Sequence, residues 1–166
     1  MGTTIGTKGL GESVRAYIVR TEGLDRDYLK IVAHNARGRE HYFAIYNART
    51  NSTEGIVVLA SRWGSQIAVK VIDENMGPYY YNASARVVDA LSPTSDPTAL
   101  SWRAHCREVY QKRARLKRAA VGDSVKIGDA HYLLIKKQGN TWIGRHSGSG
   151  LDYRIGKSAW SRAAVV

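Results

Sequence analysis

Apolar residues in the first 40 positions recur in short, spaced groups rather than in long runs. The opening residues are rich in glycine and threonine, which predicts a loose start before a short strand at "VRAYIV" (14–19). In residues 22–38 apolar side chains recur at spacings of three and four before Gly38, and this predicts an amphipathic helix. The apolar positions of that helix are Leu24, Tyr28, Leu29, Val32 and Ala33.

The next three apolar runs have the composition of strands. Residues 41–48, 55–63 and 65–73 are rich in aromatic and β-branched residues, and "RTNSTE" between the first two is typical of a turn. "NMGPYYYNAS" then predicts a loop, because Gly77-Pro78 interrupts regular structure.

Two helices follow in the prediction. Asn82 or Ser84 can cap a short helix at "ARVVDAL", and Asp96 before Pro97 is a good start for a long one. On a helical wheel the long helix separates an apolar arc from a basic arc. The apolar arc contains Ala99, Trp102, Cys106, Val109 and Leu116, and the basic arc contains Arg103, Arg107, Arg115 and Arg118.

After Val121 the pattern changes to short strand-like runs joined by glycine-rich connections. "GN" at 139–140 and "SGSG" at 147–150 are typical of hairpins, so we expect a small antiparallel β module, a partial barrel. The predicted fold class is α+β, with a mixed or antiparallel sheet and packed helices before the module. The predicted domains are residues 1–120, ending in the basic amphipathic helix, and residues 121–166.

Charge changes the picture because it is unevenly distributed. Of the net +11, residues 1–97 carry +1 and residues 98–166 carry +10. Such asymmetry favours a polyanionic partner, with nucleic acid first and an acidic host protein complex second.

Several classes of protein are not supported by the sequence. The single Cys106 excludes an internal disulfide, its place on the apolar arc favours packing over nucleophilic chemistry, and one cysteine fits a reducing compartment. No segment has the ~20 apolar residues of a membrane span, so we expect no membrane partner. The histidines lack zinc-ligand spacing and no phosphate-binding loop occurs, so we expect neither a metal nor a cofactor.

The central part of the chain resembles a family of uncharacterised proteins encoded by phages, plasmids and other mobile elements. The resemblance covers about residues 22–110 and consists of three elements in a fixed order. They are "DENMGPYYY" (73–81), "LSPT" (91–94) and "ALSWRAHC" (99–106), in which the family pattern is DExxGPxYY, LSPT and AxxWRxxC. The resemblance implies an accessory protein of a mobile element, acting in the cytoplasm of a bacterial host.

The basic residues of the C-terminal part are the candidate nucleic-acid contacts, because each Lys or Arg that meets a phosphate releases counterions. The alternative is a solvated helix face, which is common for charge runs. The candidates are Arg103, Arg107, Lys112, Arg115, Lys117, Arg118, Lys136, Lys137, Arg145 and Arg154. Tyr132, Trp142 and Tyr153 are interleaved with them and are candidates for base stacking, although alternation along strands places some of them in the core.

The loop after the third predicted strand is a second candidate site. Lys70, Asp73 and Glu74 precede Tyr79, Tyr80 and Tyr81, and paired carboxylates can hold Mg²⁺ or act as acid and base. The alternative is that the carboxylates cap the turn and the tyrosines cover the sheet edge. Neighbouring residues on a strand point apart, which disfavours a catalytic pair.

Three functional hypotheses follow from these features. The first is a non-enzymatic nucleic-acid-binding accessory protein, which uses the basic helix and β module. The second is a protein-binding inhibitor of a host defence or transcription complex. The third is a metal-dependent enzyme acting on nucleic acid at Asp73 and Glu74, which we favour least because the common catalytic motifs are absent.

Overall fold

The computed structural model describes residues 2–9, 11–63, 66–76 and 81–166. The chain forms two compact units, Met1–Glu108 and Val109–Val166. The division falls inside the long basic helix, earlier in the chain than the boundary at residue 120 that the sequence pattern predicts.

The first unit contains a five-stranded sheet in which every neighbouring pair is antiparallel, in the order β1-β5-β4-β3-β2. The five strands are β1 (Gly2–Thr7), β2 (Leu29–Arg37), β3 (Glu40–Asn47), β4 (Ser52–Trp63) and β5 (Gln66–Asp73). The three strands predicted from residues 41–73 are therefore confirmed. The opening residues, expected to be loose, instead pair with β5 as an edge strand.

Helices cover both faces of this sheet. They are α1 (Val14–Thr21), α2 (Ala85–Val88) and α3 (Pro97–Arg118). Alternate residues of β3 belong to different cores: Phe43 packs with Tyr17 and Ile18 of α1, and Tyr42 packs with Trp102 of α3. This explains why residues 41–45 are all buried, in place of the alternation of a sheet with one wet face.

Two elements differ from the sequence prediction. "VRAYIV" belongs to the helix α1, because Ser13 caps it by accepting from the Ala16 N–H (3.1 Å) and because Val14, Tyr17 and Ile18 have helical spacing. Residues 29–37 of the predicted helix are the strand β2.

The apolar spacing in β2 looks helical because the strand contains a bulge. Ile31 pairs with Ile45 and Ala33 with Ala44, so Val32 is an extra residue between them. Leu29 and Ile31 therefore pack against the α1 core, while Ala33 packs against the other core. Spacings of three and four result without a helix.

The helix starts predicted later in the first unit are confirmed in position. Asp96 caps α3, since its Oδ1 accepts from the Ala99 N–H at 2.7 Å. Ser84 occupies the N-cap of α2, but its side chain makes no capping hydrogen bond. Between β5 and α2, Glu74–Met76 forms a single 3₁₀ turn.

The second unit is a small antiparallel sheet with the order β10-β6-β7-β8-β9. Its elements are β6 (Ser124–Ile127), β7 (Ala130–Gln138), β8 (Thr141–His146), β9 (Asp152–Ile155), the short helix α4 (Lys157–Arg162) and β10 (Ala164–Val165). The predicted hairpin at 139–140 is confirmed, with Gly139 at φ +54°. Val125, Leu134, Trp142 and Ile155 form the core. Within the described residues the sheet stays open, with β9 and β10 as its edges, so the fold class is α+β with two antiparallel sheets.

Candidate nucleic-acid interface

The register of the second sheet collects basic side chains on its outer face. Residues directly opposite each other on neighbouring strands share a face. Lys136 of β7 lies opposite Ile143 of β8, and Ile143 lies opposite Arg154 of β9, so these three form one row. Neighbouring strands are about 4.8 Å apart, which separates the Lys136 and Arg154 backbones by about 10 Å. Both basic side chains are exposed.

A second row on the same face is partly neutralised. Leu133, Arg145 and Asp152 lie opposite one another, and Arg145 Nε donates to Asp152 Oδ1 at 2.8 Å. The hydrogen bond from Arg145 lowers the pKa of Asp152, and the same contact raises the pKa of Arg145. Because both groups are exposed, the pair contributes little to stability. Arg145 therefore offers less free charge than Lys136, Arg154 or Lys126, which lies on this face opposite His131.

The two neighbouring lysines of β7 do not act together. Lys136 is on the outer face, whereas Lys137 lies opposite Trp142 on the core side. The Lys137 ammonium lies 5.5 Å from the centre of the Trp142 ring, a cation–π distance. Trp142 itself is 6% exposed and packs against Trp160, so it belongs to the core and is not available for stacking.

The end of α3 supplies further exposed cations. Lys112, Arg115, Lys117 and Arg118 are all exposed, and no Asp or Glu occurs between residues 109 and 122. Cations in the last turn of a helix also interact favourably with the helix dipole, so this charge has a structural role as well.

Two of the predicted basic contacts belong to the first unit and have partners there. Arg103 is 7% exposed and its Nε and Nη2 donate to both carboxylate oxygens of Glu74, at 2.8 and 2.9 Å. Its Nη1 donates to the Ser92 carbonyl at 2.7 Å. Arg103 is therefore a buried structural residue and not a phosphate contact. Arg107 is exposed and 3.7 Å from Asp89.

The carboxylates considered for catalysis have structural partners. Glu74 pairs with Arg103, and Asp73 Oδ1 accepts from the Met76 N–H at 3.0 Å, which caps the 3₁₀ turn. Lys70 lies three residues before Asp73 on β5, so the two side chains point to opposite faces of the sheet. The structure does not assemble Lys70, Asp73 and Glu74 into one site.

The tyrosine loop is only partly within the described residues. Tyr79 and Tyr80 lie outside them. Tyr81 packs against the core of α3, and its carbonyl accepts from Trp102 Nε1 at 3.1 Å and from Cys106 Sγ at 3.9 Å. Burial raises the pKa of the Cys106 thiol to about 11, so the thiol is protonated and a poor nucleophile at neutral pH.

Sequence reasoning missed two clusters that contain histidine. On the first sheet, His34 Nε2 and His41 Nδ1 are 3.2 Å apart, and His34 stacks on Phe43. A cavity of about 250 Å³ lies beside His41, Arg39 and Ser61. On the second sheet, His146 contacts Tyr132 and Tyr153. Each cluster joins residues from separate strands, so only the strand register reveals it.

Comparison with protein-family models, with curated proteins and with solved structures finds no match to this chain. The described residues bring no three His, Cys, Asp or Glu side chains together as metal ligands. Within that same part of the chain, none of the helices combines the length and apolar character of a transmembrane span.

Proposed function

We propose that this protein is a nucleic-acid-binding accessory protein that contacts the phosphate backbone through its second unit. The observation that carries the proposal is the charge of Val109–Val166, where twelve Lys and Arg face three Asp, a net charge of +9. The first unit carries thirteen Lys and Arg against eleven Asp and Glu, a net charge of +2. Excess charge of one sign on a small unit attracts a polyanion over a long range.

The arrangement of the charged residues supports phosphate binding more than it supports catalysis. Lys126, Lys136 and Arg154 share the outer face of an open sheet, and the end of α3 adds a run of exposed cations. The two carboxylates considered for catalysis make structural hydrogen bonds, Asp73 with the Met76 N–H and Glu74 with Arg103. A metal-dependent enzyme is therefore a weaker explanation. The mobile-element setting and the bacterial cytoplasm rest on the resemblance of the central motifs.

Salt titration of binding is the direct test. Labelled double-stranded DNA, single-stranded DNA and RNA are titrated with the whole chain at increasing salt, and binding is followed by fluorescence anisotropy. We expect affinity to fall linearly on a log–log plot, with a slope that counts phosphate contacts, about 0.9 per contact for duplex DNA and 0.7 for single strands.

Three matched triple variants locate the contacts, each replacing three exposed cations by Gln. One changes Lys126, Lys136 and Arg154 on the second sheet, and one changes Lys112, Arg115 and Arg118 on α3. The control changes the same number of exposed cations in the first unit, namely Lys30, Arg37 and Arg86. We expect the first two to weaken binding and flatten the salt slope by about two to three units, and the control to change both less.

Two results would contradict the proposal. One is absence of nucleic-acid binding near physiological salt, which would favour an acidic host protein as partner. The other is an equal loss of affinity in all three variants, because binding would then depend on total charge and not on the second unit.

A further inference from the structure

Three aromatic rings come together at one end of the second sheet, on the face opposite the row of basic residues. The ring centres of Tyr132 and His146 are 5.3 Å apart, those of Tyr132 and Tyr153 are 6.1 Å apart, and those of His146 and Tyr153 are 6.0 Å apart. The three residues come from β7, β8 and β9, and we call them the aromatic triad.

Gly144 leaves room for Tyr132, one member of the triad. It lies on β8 between Leu134 of β7 and Tyr153 of β9. A Cβ at position 144 would be 3.0 Å from Tyr132 Cβ and 2.7 Å from Ile155 Cδ1, so no side chain fits there. The side chains of Tyr132 and Ile155 occupy that space. Tyr132 packs on the core below, whereas Tyr153 is 45% exposed and presents its ring to solvent.

The triad has a defined hydrogen-bonding state. His146 Nδ1 accepts from the Ser149 N–H at 3.0 Å, so the neutral imidazole carries its proton on Nε2 and can donate from there. Within the described residues, neither the Tyr132 nor the Tyr153 hydroxyl makes a hydrogen bond. Tyr153 is nearly perpendicular to the other two rings, at 79° to Tyr132 and 78° to His146. The triad therefore combines one exposed ring, that of Tyr153, with polar donors beside it.

The charge of the unit decides which ligand such rings take. Exposed aromatic faces bind either organic cations or flat π systems such as nucleobases. A net charge of +9 repels a cation and attracts the anion to which bases are attached. In a duplex the base faces are already stacked on one another, so only an unpaired base can lie on a protein ring.

We propose that the aromatic triad is a stacking platform for unpaired bases, and that the protein prefers single-stranded nucleic acid. This inference rests on the proposed function and names the substrate class for it. The β9 edge strand joins the two parts of the surface, since Tyr153 is on the triad face and Arg154, the next residue, is on the basic face. A flexible single strand can contact both faces around this edge, whereas a stiff duplex cannot.

The test compares Tyr153→Ala with Tyr110→Ala, a matched control on α3 of the same unit. Tyr110 is 52% exposed and Tyr153 45%, so the two changes remove similar exposed rings. Binding is measured for a dT oligonucleotide and for a duplex of equal length. We expect Tyr153→Ala to weaken dT binding about 5- to 100-fold, the value of one base–aromatic stack. Its salt slope should be unchanged, because no phosphate contact is lost.

Tyr153→Phe keeps the ring and should retain affinity close to that of the original chain. A second measurement needs no variant: added dT oligonucleotide should shift the ring proton resonances of Tyr132 and Tyr153 in NMR spectra and leave those of Tyr46, on β3 of the first unit, unchanged. This keeps the inference testable if Tyr153→Ala does not fold.

Each outcome separates the inference from the proposed function. If Tyr153→Ala binds dT as the original chain does, while the Lys126, Lys136 and Arg154 variant binds weakly, the platform is refuted and phosphate binding remains. Equal affinity of the original chain for duplex and dT, with no shift of the triad resonances, refutes it too. If no nucleic acid binds at all, both proposals are wrong.

Discussion

Burial separates arginines that look equivalent in the sequence. Arg103 and Arg115 both belong to the basic arc of α3, but Arg103 is buried and forms a two-point contact with Glu74. A buried charge must be compensated by a partner of opposite sign and by further hydrogen bonds, and the Ser92 carbonyl supplies one of these. The helix position alone does not distinguish the two roles.

Removing one partner of this buried pair should destabilise the protein strongly. We expect Glu74→Ala to lower the free energy of unfolding by about 3–5 kcal/mol, because it leaves the Arg103 charge buried without compensation. The matched control is Asp152→Ala, which breaks the exposed pair with Arg145 and should have little effect. Urea unfolding followed by circular dichroism measures both. If both variants lose only a small and similar free energy of unfolding, the Glu74–Arg103 pair is not buried away from water in solution.

The His34 and His41 pair makes stability depend on pH. Burial, with smaller contributions from the nearby His41 and Arg15, lowers the pKa of His34 to about 4. Burial also lowers the pKa of His41. An unfolded histidine has a pKa of about 6.5, so between about pH 6.5 and pH 4 the unfolded chain binds more protons than the folded one. Stability is therefore fully present above about pH 7 and falls as the pH is lowered through this window.

We expect His34→Phe to reduce that loss, since the new ring can still stack on Phe43 but does not titrate. Urea unfolding at pH 7 and pH 5 gives the change in stability for each protein. His131→Gln is the control, because it removes an exposed histidine of the second sheet that does not belong to the His34–His41 pair. If the His34→Phe variant loses as much stability between pH 7 and pH 5 as the original chain does, other groups cause the pH dependence.

Strand register determines which side chains of this protein face the core and which face outward. The bulge at Val32 sends residues on either side of it to different cores, and this is why a strand carries a helix-like pattern. The second sheet has a comparable irregularity between Leu134 and Lys136, after which Lys136 faces outward and Lys137 faces Trp142. One inserted residue reverses the inward and outward positions that follow it. Register therefore separates a candidate phosphate contact, Lys136, from a residue on the core side, Lys137.

A side chain at position 144 should disturb the second sheet. We expect Gly144→Ala to destabilise the protein by about 1–3 kcal/mol, because the added methyl group overlaps Ile155 and crowds Tyr132. Gly9→Ala is the control, since a Cβ there meets only ordinary contacts at 3.7 Å or more. Thermal unfolding compares the two variants. If Gly144→Ala is as stable as Gly9→Ala, the packing of Tyr132 over β8 is looser than described.

The two units differ most in charge, with net +2 in Met1–Glu108 and net +9 in Val109–Val166. The first unit has a sheet buried on both faces by helices, and its buried Arg103 is paired with Glu74. The second unit has a small core, an open sheet and exposed cations. In the whole chain, we expect the second unit to make the proposed contacts with nucleic acid. The fall of binding affinity with salt should therefore depend on the cations of that unit.

Much of the fold follows from local pattern. Runs rich in β-branched and aromatic residues form β3, β4 and β5, Asp96 with Pro97 starts α3, and the glycine connections form the hairpins of the second sheet. Each of these signals depends on a few neighbouring residues, so it can be recognised from the sequence alone. The prediction was wrong for α1 and β2, where helix capping by Ser13 and a bulge at Val32 outweighed the apparent periodicity.

The sequence by itself determined the class of fold, the uneven charge and most of the basic residues of the candidate interface. Only the tertiary structure decided which of these basic side chains a ligand could reach. Arg103 is buried against Glu74, Lys137 lies over Trp142, and Lys136 and Arg154 share one row. The tertiary structure also decided that the rings of Tyr132, His146 and Tyr153 come together on one face of the second sheet. The physical reason is that composition and local propensity act along the chain, whereas burial, ion pairing and strand register depend on residues far apart in it.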